Sequence, residues 1–187
     1  MSVLAIDIGG TKMAAGIVDA DGSIIRRART ATVPDDPWPE FAQMLDRLVD
    51  GESIEGVGIG CGGPMTWPAG DVSPLNIPGW RDFPLRARLA DRYPGVPVRL
   101  HNDAVAFAAA EHWKGAGQGV DDMIGMVVST GVGGGLVLGG RIVDGASGNA
   151  GHIGHVVADP DGPVCACGGR GCLEAFARGP ATVAWAR

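Results

Sequence analysis

The sequence predicts an α/β fold built from two related lobes, and three observations carry that expectation. Apolar strand-like runs alternate with helical runs along the chain. One device occurs twice, near residue 8 and again near residue 130: a strand, a glycine-rich turn containing threonine, and a returning strand. Glycine is abundant, 32 of 187 residues, yet it gathers at defined turns between apolar segments instead of forming a low-complexity tract. A repeated strand–turn–strand unit points to two lobes facing a cleft. The stretch 115–122 reads as the boundary, which gives a first lobe over 1–117 and a second over 118–187.

Residues 3–8 read as a buried strand and 13–19 as its hairpin partner, joined by Gly9-Gly10-Thr11-Lys12. Asp21-Gly22 is a turn signal leading to a third strand over 23–32. A helix is expected over 38–50, entered through Pro37 and Pro39, with Phe41, Met44, Leu45, Leu48 and Val49 on one face. Val57-Gly58-Ile59-Gly60 is a short strand running into Cys61-Gly62-Gly63-Pro64. The stretch 65–83, rich in Pro, Gly, Trp and Asn, reads as a long functional loop. A helix over 85–92, a strand over 96–100 and a helix over 104–113 follow, with Asn102-Asp103 at the strand's end. Beyond the boundary come a buried strand over 123–129, a glycine-rich turn over 131–135, a returning strand over 136–138 and a further strand over 141–143.

The last third carries the strongest chemical signal. Cys165, Cys167 and Cys172 fall within eight residues, and His155 lies ten positions upstream. One imidazole and three thiolates form a closed tetrahedral set suited to structural zinc (Zn2+). The bland alternative is a group of small buried cysteines. Cys165 and Cys167 are too close in sequence to pair comfortably as a disulfide. Cys61 stands apart and reads as a buried thiol. In Asp7-Ile8-Gly9-Gly10-Thr11-Lys12, glycines let backbone N–H groups approach phosphate oxygens and Thr11 adds a hydroxyl donor. Asp7 can hold Mg2+ through its carboxylate oxygens. Ser129-Thr130-Gly131-Val132-Gly133-Gly134-Gly135 is a second loop of the same character. Either alone could be an ordinary tight turn; two, one per lobe, point to phosphate. Asp103 is the candidate general base for phosphoryl transfer to a hydroxyl, with Asn102 beside it as a hydrogen-bonding partner for a second hydroxyl. The competing reading is that this pair caps the helix that follows. His155 can give one ring nitrogen to zinc and the other to a ligand, and Glu174 follows the metal loop at the start of a helical run.

A net charge of −6 with no Lys/Arg-rich run argues against nucleic acid or an anionic membrane as partner. No apolar stretch approaches the roughly 20 residues needed to span a bilayer. The start, Met1-Ser2-Val3-Leu4-Ala5-Ile6-Asp7, lacks the positive flank of a signal peptide, and metal-type cysteine spacing suits a cytoplasmic setting.

Taken together, Asp7 to Lys12, Gly62-Gly63-Pro64, Asn102-Asp103-Ala104, Ser129 to Gly135, Gly151 to His155 and the 165–172 loop with Glu174 resemble the ROK family of sugar kinases and sugar-responsive repressors. The resemblance extends over essentially the whole chain. It implies the two-lobed actin-like ATPase (ribonuclease H-like) fold, ATP with Mg2+ as phosphate donor, a hexose as acceptor, and homodimers among full-length relatives. It implies Asp103 as catalytic base and Gly63, Asn76, Asn102, His155 and Glu174 as sugar contacts. Asp7, Gly9, Gly10, Thr11 and Lys12, together with Thr130, Gly131, Val132, Gly133, Gly134 and Gly135, would hold the nucleotide phosphates. His155, Cys165, Cys167 and Cys172 would hold zinc.

His152 stands where many members, glucokinases among them, carry a glutamate that hydrogen-bonds sugar hydroxyls. The surrounding string, Ala150 to His155 with Ala158-Asp159-Pro160 and Gly162 to Cys165, most resembles the family's N-acetylmannosamine kinases, with His152 among the sugar contacts and glucose as the alternative acceptor. A repressor of the family would carry a helix-turn-helix ahead of the first strand, whereas this acidic chain opens on the strand itself. Members of the family are also considerably longer. The resemblance therefore predicts an incomplete second lobe with open sheet faces, poor stability alone and little kinase activity, or a remnant that keeps a sugar pocket without nucleotide affinity.

Overall fold

The computed structural model describes residues 2–187; Met1, the first residue of the predicted first lobe, lies outside them. The chain divides into two compact units, Met1–Asp103 and Ala104–Arg187.

The first unit is a five-stranded sheet in the order β3-β2-β1-β4-β5. It comprises β1 (Ser2–Ile8), β2 (Lys12–Asp19), β3 (Ile24–Ala31), β4 (Gly56–Cys61) and β5 (Val98–His101). β1, β2 and β3 form an antiparallel meander, while β1, β4 and β5 run parallel. Strand β5 begins two residues later than its sequence suggests, because Pro97 has no N–H to give the ladder; its carbonyl instead accepts from the Val57 amide at 2.9 Å. Alternation aims Leu4, Ile6 and Ile8, Met13 and Ile17, and Val57 and Ile59 at one face, where all are buried.

Two helices cover that face. Helix α1 (Trp38–Val49) starts at the predicted prolines and buries Phe41, Met44, Leu45 and Leu48. Helix α2 (Leu85–Arg92) buries Leu85 and Leu89. The long loop is not a loose flap. Val72, Ile77 and Trp80 are fully buried in the core, Trp80 stacks on Phe83 at 4.2 Å, and Trp38 meets Phe83 at 5.6 Å. Arg88 caps this aromatic group, its guanidinium 4.8 Å from the Phe83 ring centre.

The second unit holds α3 (Asp103–Lys114), whose first residue belongs with the first unit, then the sheet β6 (Met123–Val128), β7 (Val132–Leu138) and β8 (Arg141–Ile142), and the short helices α4 (Leu173–Ala177) and α5 (Gly179–Trp185). Helix α3 lies directly on β6 and β7. A Cβ on Gly125 would fall 2.5 Å from the Ala108 Cβ, and Cβ atoms on Gly133 and Gly135 would fall 2.7 Å from those of Ala104 and Ala108. Gly133, Gly134 and Gly135 are thus strand residues inside β7, not a loop. At Gly133 and Gly135 there is no room for a side chain because α3 approaches that closely. The opposite side of β6 leaves Ile124, Met126 and Val128 about half exposed.

Phe41 is completely buried among sheet and helix side chains. Phe41→Ala is expected to lower unfolding free energy by about 3–5 kcal/mol, read from the urea midpoint at unchanged slope.

Candidate functional site

In the first unit the carboxyl ends of the parallel strands gather the polar residues. The register sets Asp7, Gly60 and His101 in one row across β1, β4 and β5, so the segments just beyond them lie side by side: Gly9-Gly10 after β1, Gly62-Gly63 after β4, Asn102-Asp103 after β5. A Cβ on Gly62 would lie 3.9 Å from an Asp103 carboxylate oxygen, and one on Gly63 would lie 4.0 Å from the Asn102 amide nitrogen. This carboxyl edge is where open α/β sheets receive ligands.

Asp7 senses the charge of Asp103. Asp7 keeps contact with solvent, but partial burial and then the Asp103 charge push its pKa up, against the opposing pull of Lys12. The fully buried Cys61 thiol lies below them, pushed up to about 12 by burial first and then by Asp103 and Asp7. Two carboxylates held together in this way offer the hard oxygen donors that Mg2+ prefers.

The β1–β2 turn closes on itself. The Gly9 amide donates to Lys12 at 3.1 Å, and the Thr32 hydroxyl donates to the Gly9 carbonyl at 2.7 Å. Among the described residues no acceptor takes up the Gly10 or Thr11 amide, so two successive N–H groups remain for an anion. Gly10 also abuts Asn76, since a Cβ there would sit 2.4 Å from the Asn76 Cβ. The buried anchors of the long loop thereby bring Asn76 to the turn.

The second unit repeats this pattern in the turn between β6 and β7. The Ser129 amide donates to Gly131 at 2.8 Å, and no described residue accepts from the Thr130 or Gly131 amide. The Val132 amide, by contrast, is taken by a Glu174 carboxylate oxygen at 2.8 Å. Of the seven residues in the glycine-rich motif, Thr130 and Gly131 present amides that no described residue takes up, the Val132 amide is held by Glu174, and Gly133, Gly134 and Gly135 run on as strand β7.

Below this turn lies a cluster of metal-ligand type. One ligand atom from each of His155, Cys165, Cys167 and Cys172 falls within 4.8 Å of the others. His155 sits on a single 3-10 turn, Ile153–His155, and points Nδ1 toward the Cys165 sulfur at 3.9 Å. The three-cysteine loop is pinned by Cys165 N–H to the Gly169 carbonyl and Gly168 N–H to the Cys165 carbonyl, with Gly168 at a φ of 88° that a side chain would resist. The Gly169 amide and the neighbouring sulfurs draw the Cys167 thiol below its ordinary range, while burial and the same sulfurs push Cys172 up to about 11. Three crowded sulfurs and one imidazole fit a tetrahedral zinc ion. His152 begins the 3-10 turn, half-buried, its amide donating to Asn149 at 3.3 Å.

A profile of the ROK family matches residues 3–187. The chain belongs to the ROK family. It is 44% identical over 187 aligned positions to an N-acetylmannosamine kinase of Citrobacter koseri, covering 96% of this chain and 62% of that protein. It is 40% identical over 183 positions to a glucokinase of Thermotoga maritima, covering 95% and 57% respectively. Among solved structures, a ROK hexokinase from Thermus thermophilus superposes with a TM-score of 0.87 at 41% identity, covering 100% of this chain and 65% of that one. A ROK glucokinase from Streptomyces griseus, in complex with glucose and AMPPNP, gives 0.82 at 39%, covering 100% and 60%. The fold is the actin-like ATPase fold of these ROK proteins, and the chain spans less than two thirds of their length.

Three contacts in this ROK chain join residues that no sequence pattern ties together: Gly62 against Asp103, Thr32 on Gly9, and the Gly179 amide on the Ser129 carbonyl at 2.7 Å. Gly62 was visible as the first glycine of a Gly-Gly-Pro string. Thr32 and Gly179 lie too far along the chain to be tied to their turns by any local pattern.

The raised Asp7 pKa has a definite linkage sign. Between its ordinary value of 3.8 and its raised folded value, the native state binds more protons than the unfolded chain, so stability falls as pH rises through that window and the cost persists above it. Asp7→Asn should therefore raise the thermal midpoint near neutral pH and lose that advantage below 3.8, and millimolar Mg2+ should narrow the difference by stabilising the wild type.

Proposed function

We propose that the chain carries the acceptor-activating part of an ATP-dependent sugar kinase that phosphorylates the 6-hydroxyl of a hexosamine, N-acetylmannosamine first. The observation that carries this is Asp103 at the carboxyl end of β5, packed by Gly62 and electrostatically coupled to Asp7, next to a turn with two open amides. Asp103 accepts the proton of the sugar 6-hydroxyl as that oxygen attacks the terminal phosphorus of ATP. The bond to ADP breaks and its electron pair leaves on the ADP oxygen. Gly10 and Thr11, and separately Thr130 and Gly131, donate amide hydrogen bonds to phosphate oxygens. Mg2+ held at Asp7 would neutralise phosphate charge.

Gly63, Asn76, Asn102, His152, His155 and Glu174 are the proposed sugar contacts. Zinc bound by His155, Cys165, Cys167 and Cys172 would fix the imidazole so that its other ring nitrogen faces outward. Glucose is the second reading, favoured by the near-equal identity to the glucokinases. His152 favours N-acetylmannosamine, because an imidazole offers sugar hydroxyls fewer acceptor sites than a carboxylate does.

A coupled assay of ADP release on N-acetylmannosamine, glucose and N-acetylglucosamine tests the proposal. In a chain extended to the length of its relatives, Asp103→Asn is expected to lower kcat by about 10²- to 10⁴-fold with little change in the KM for ATP; retention of kcat within a few-fold removes Asp103 from the role of base. Faster turnover of glucose than of N-acetylmannosamine overturns the reading of His152. Elemental analysis of reduced protein should find one zinc per chain, lost in Cys172→Ala.

A further inference from the structure

Glu174 does something that neither a sugar contact nor a metal loop requires. One of its oxygens accepts the Val132 amide at 2.8 Å, and the other lies 3.9 Å from the Cys165 sulfur. The same carboxylate lies against Gly131, where a Cβ would come within 2.6 Å of its oxygen. The other end of the turn is held by the same stretch of chain, since Gly179 donates to the Ser129 carbonyl at 2.7 Å and its own Cβ would lie 3.0 Å from that oxygen. Val132 is held from a third side by Gly154, where a Cβ would collide with the Val132 carbonyl. Glu174 in turn is placed by the cysteines: Cys172 is the residue before α4, and the Leu173 amide donates to Val156 at 2.9 Å.

We propose that Glu174 is a positioning residue that mechanically couples the 165–172 loop to the β6–β7 turn, so that closing the loop on its metal sets the direction of the Thr130 and Gly131 amides. A carboxylate is suited to this, because a charged acceptor makes a stronger bond to N–H than a neutral one and orients it more firmly. With Val132 held, its two predecessors cannot rotate into the β7 ladder and stay turned outward. The inference deepens the proposed function, resting on its phosphate turn and zinc loop, and gives the zinc a role in nucleotide binding besides stiffening the sugar-contacting histidine.

Amide hydrogen exchange, followed residue by residue by NMR on the 187-residue chain, tests it without relying on turnover. In zinc-loaded protein Val132 should exchange slowly. Stripping the metal with a chelator should speed Val132 by about tenfold or more, the worth of a charge-assisted hydrogen bond, while the interior β6–β7 ladder amides change little. Glu174→Ala with zinc retained should speed Val132 equally, and Glu174→Gln, whose amide oxygen still accepts, should restore most of the protection. Val132 exchange within twofold of wild type in zinc-retaining Glu174→Ala overturns the proposal, as does exchange insensitive to chelation. If Glu174→Ala does not fold, the chelation arm and Glu174→Gln decide it. A sugar kinase lacking this coupling would still pass the turnover tests at Asp103 and fail here.

Discussion

The parallel pairing of β1, β4 and β5 is the constraint on which the first unit's chemistry depends. Parallel strands end on the same side, so one register brings three chain segments widely separated in sequence to a common edge. Asp7, Gly62 and Asp103 meet there for that reason alone. The pairing holds because one face of the sheet is apolar along β1, β2, β4 and β5 and is sealed by α1, α2 and the Trp80–Phe83 stack. A one-residue slip would turn that face to water. Asp7 carries a cost at the edge of this core, visible in its raised pKa.

The second unit uses a different device. Its sheet is too small to seal itself, and its order comes from close backbone approach: α3 against the glycines of β6 and β7, and Gly154 against Val132. The cysteine loop and α4 then lock the turn through Glu174 and Gly179. Glycine does two separate jobs in the two units. At Gly10, Thr11, Thr130 and Gly131 the backbone is left open to an anion, whereas at Gly125, Gly133 and Gly135 the missing side chain makes room for a helix. A motif rich in glycine therefore does not say by itself which job each glycine performs.

The strands and α1 were legible because they follow period and punctuation: alternating apolar residues, Asp21-Gly22, and prolines at 37 and 39. The metal-ligand set was legible because three cysteines within eight residues form a local pattern. The extent of the second turn was not. Gly133 to Gly135 look the same in sequence whether they form a loop or a strand, and only the proximity of Ala104 and Ala108 distinguishes the two. The burial of the long loop was not legible either, since Trp80 and Ile77 belong to the core despite their Pro- and Gly-rich surroundings.

Residue chemistry alone determined which groups this chain has to work with: two short amide-rich turns, a carboxylate at a strand's end, and one imidazole with three thiols. These are local properties, and spacing along the chain expresses them fully. Which amides stay open, which carboxylate meets which, and that Glu174 holds Val132 were decided only in three dimensions. Each of those facts is a distance between residues far apart in sequence, and such distances are set by register and packing, which no local pattern encodes.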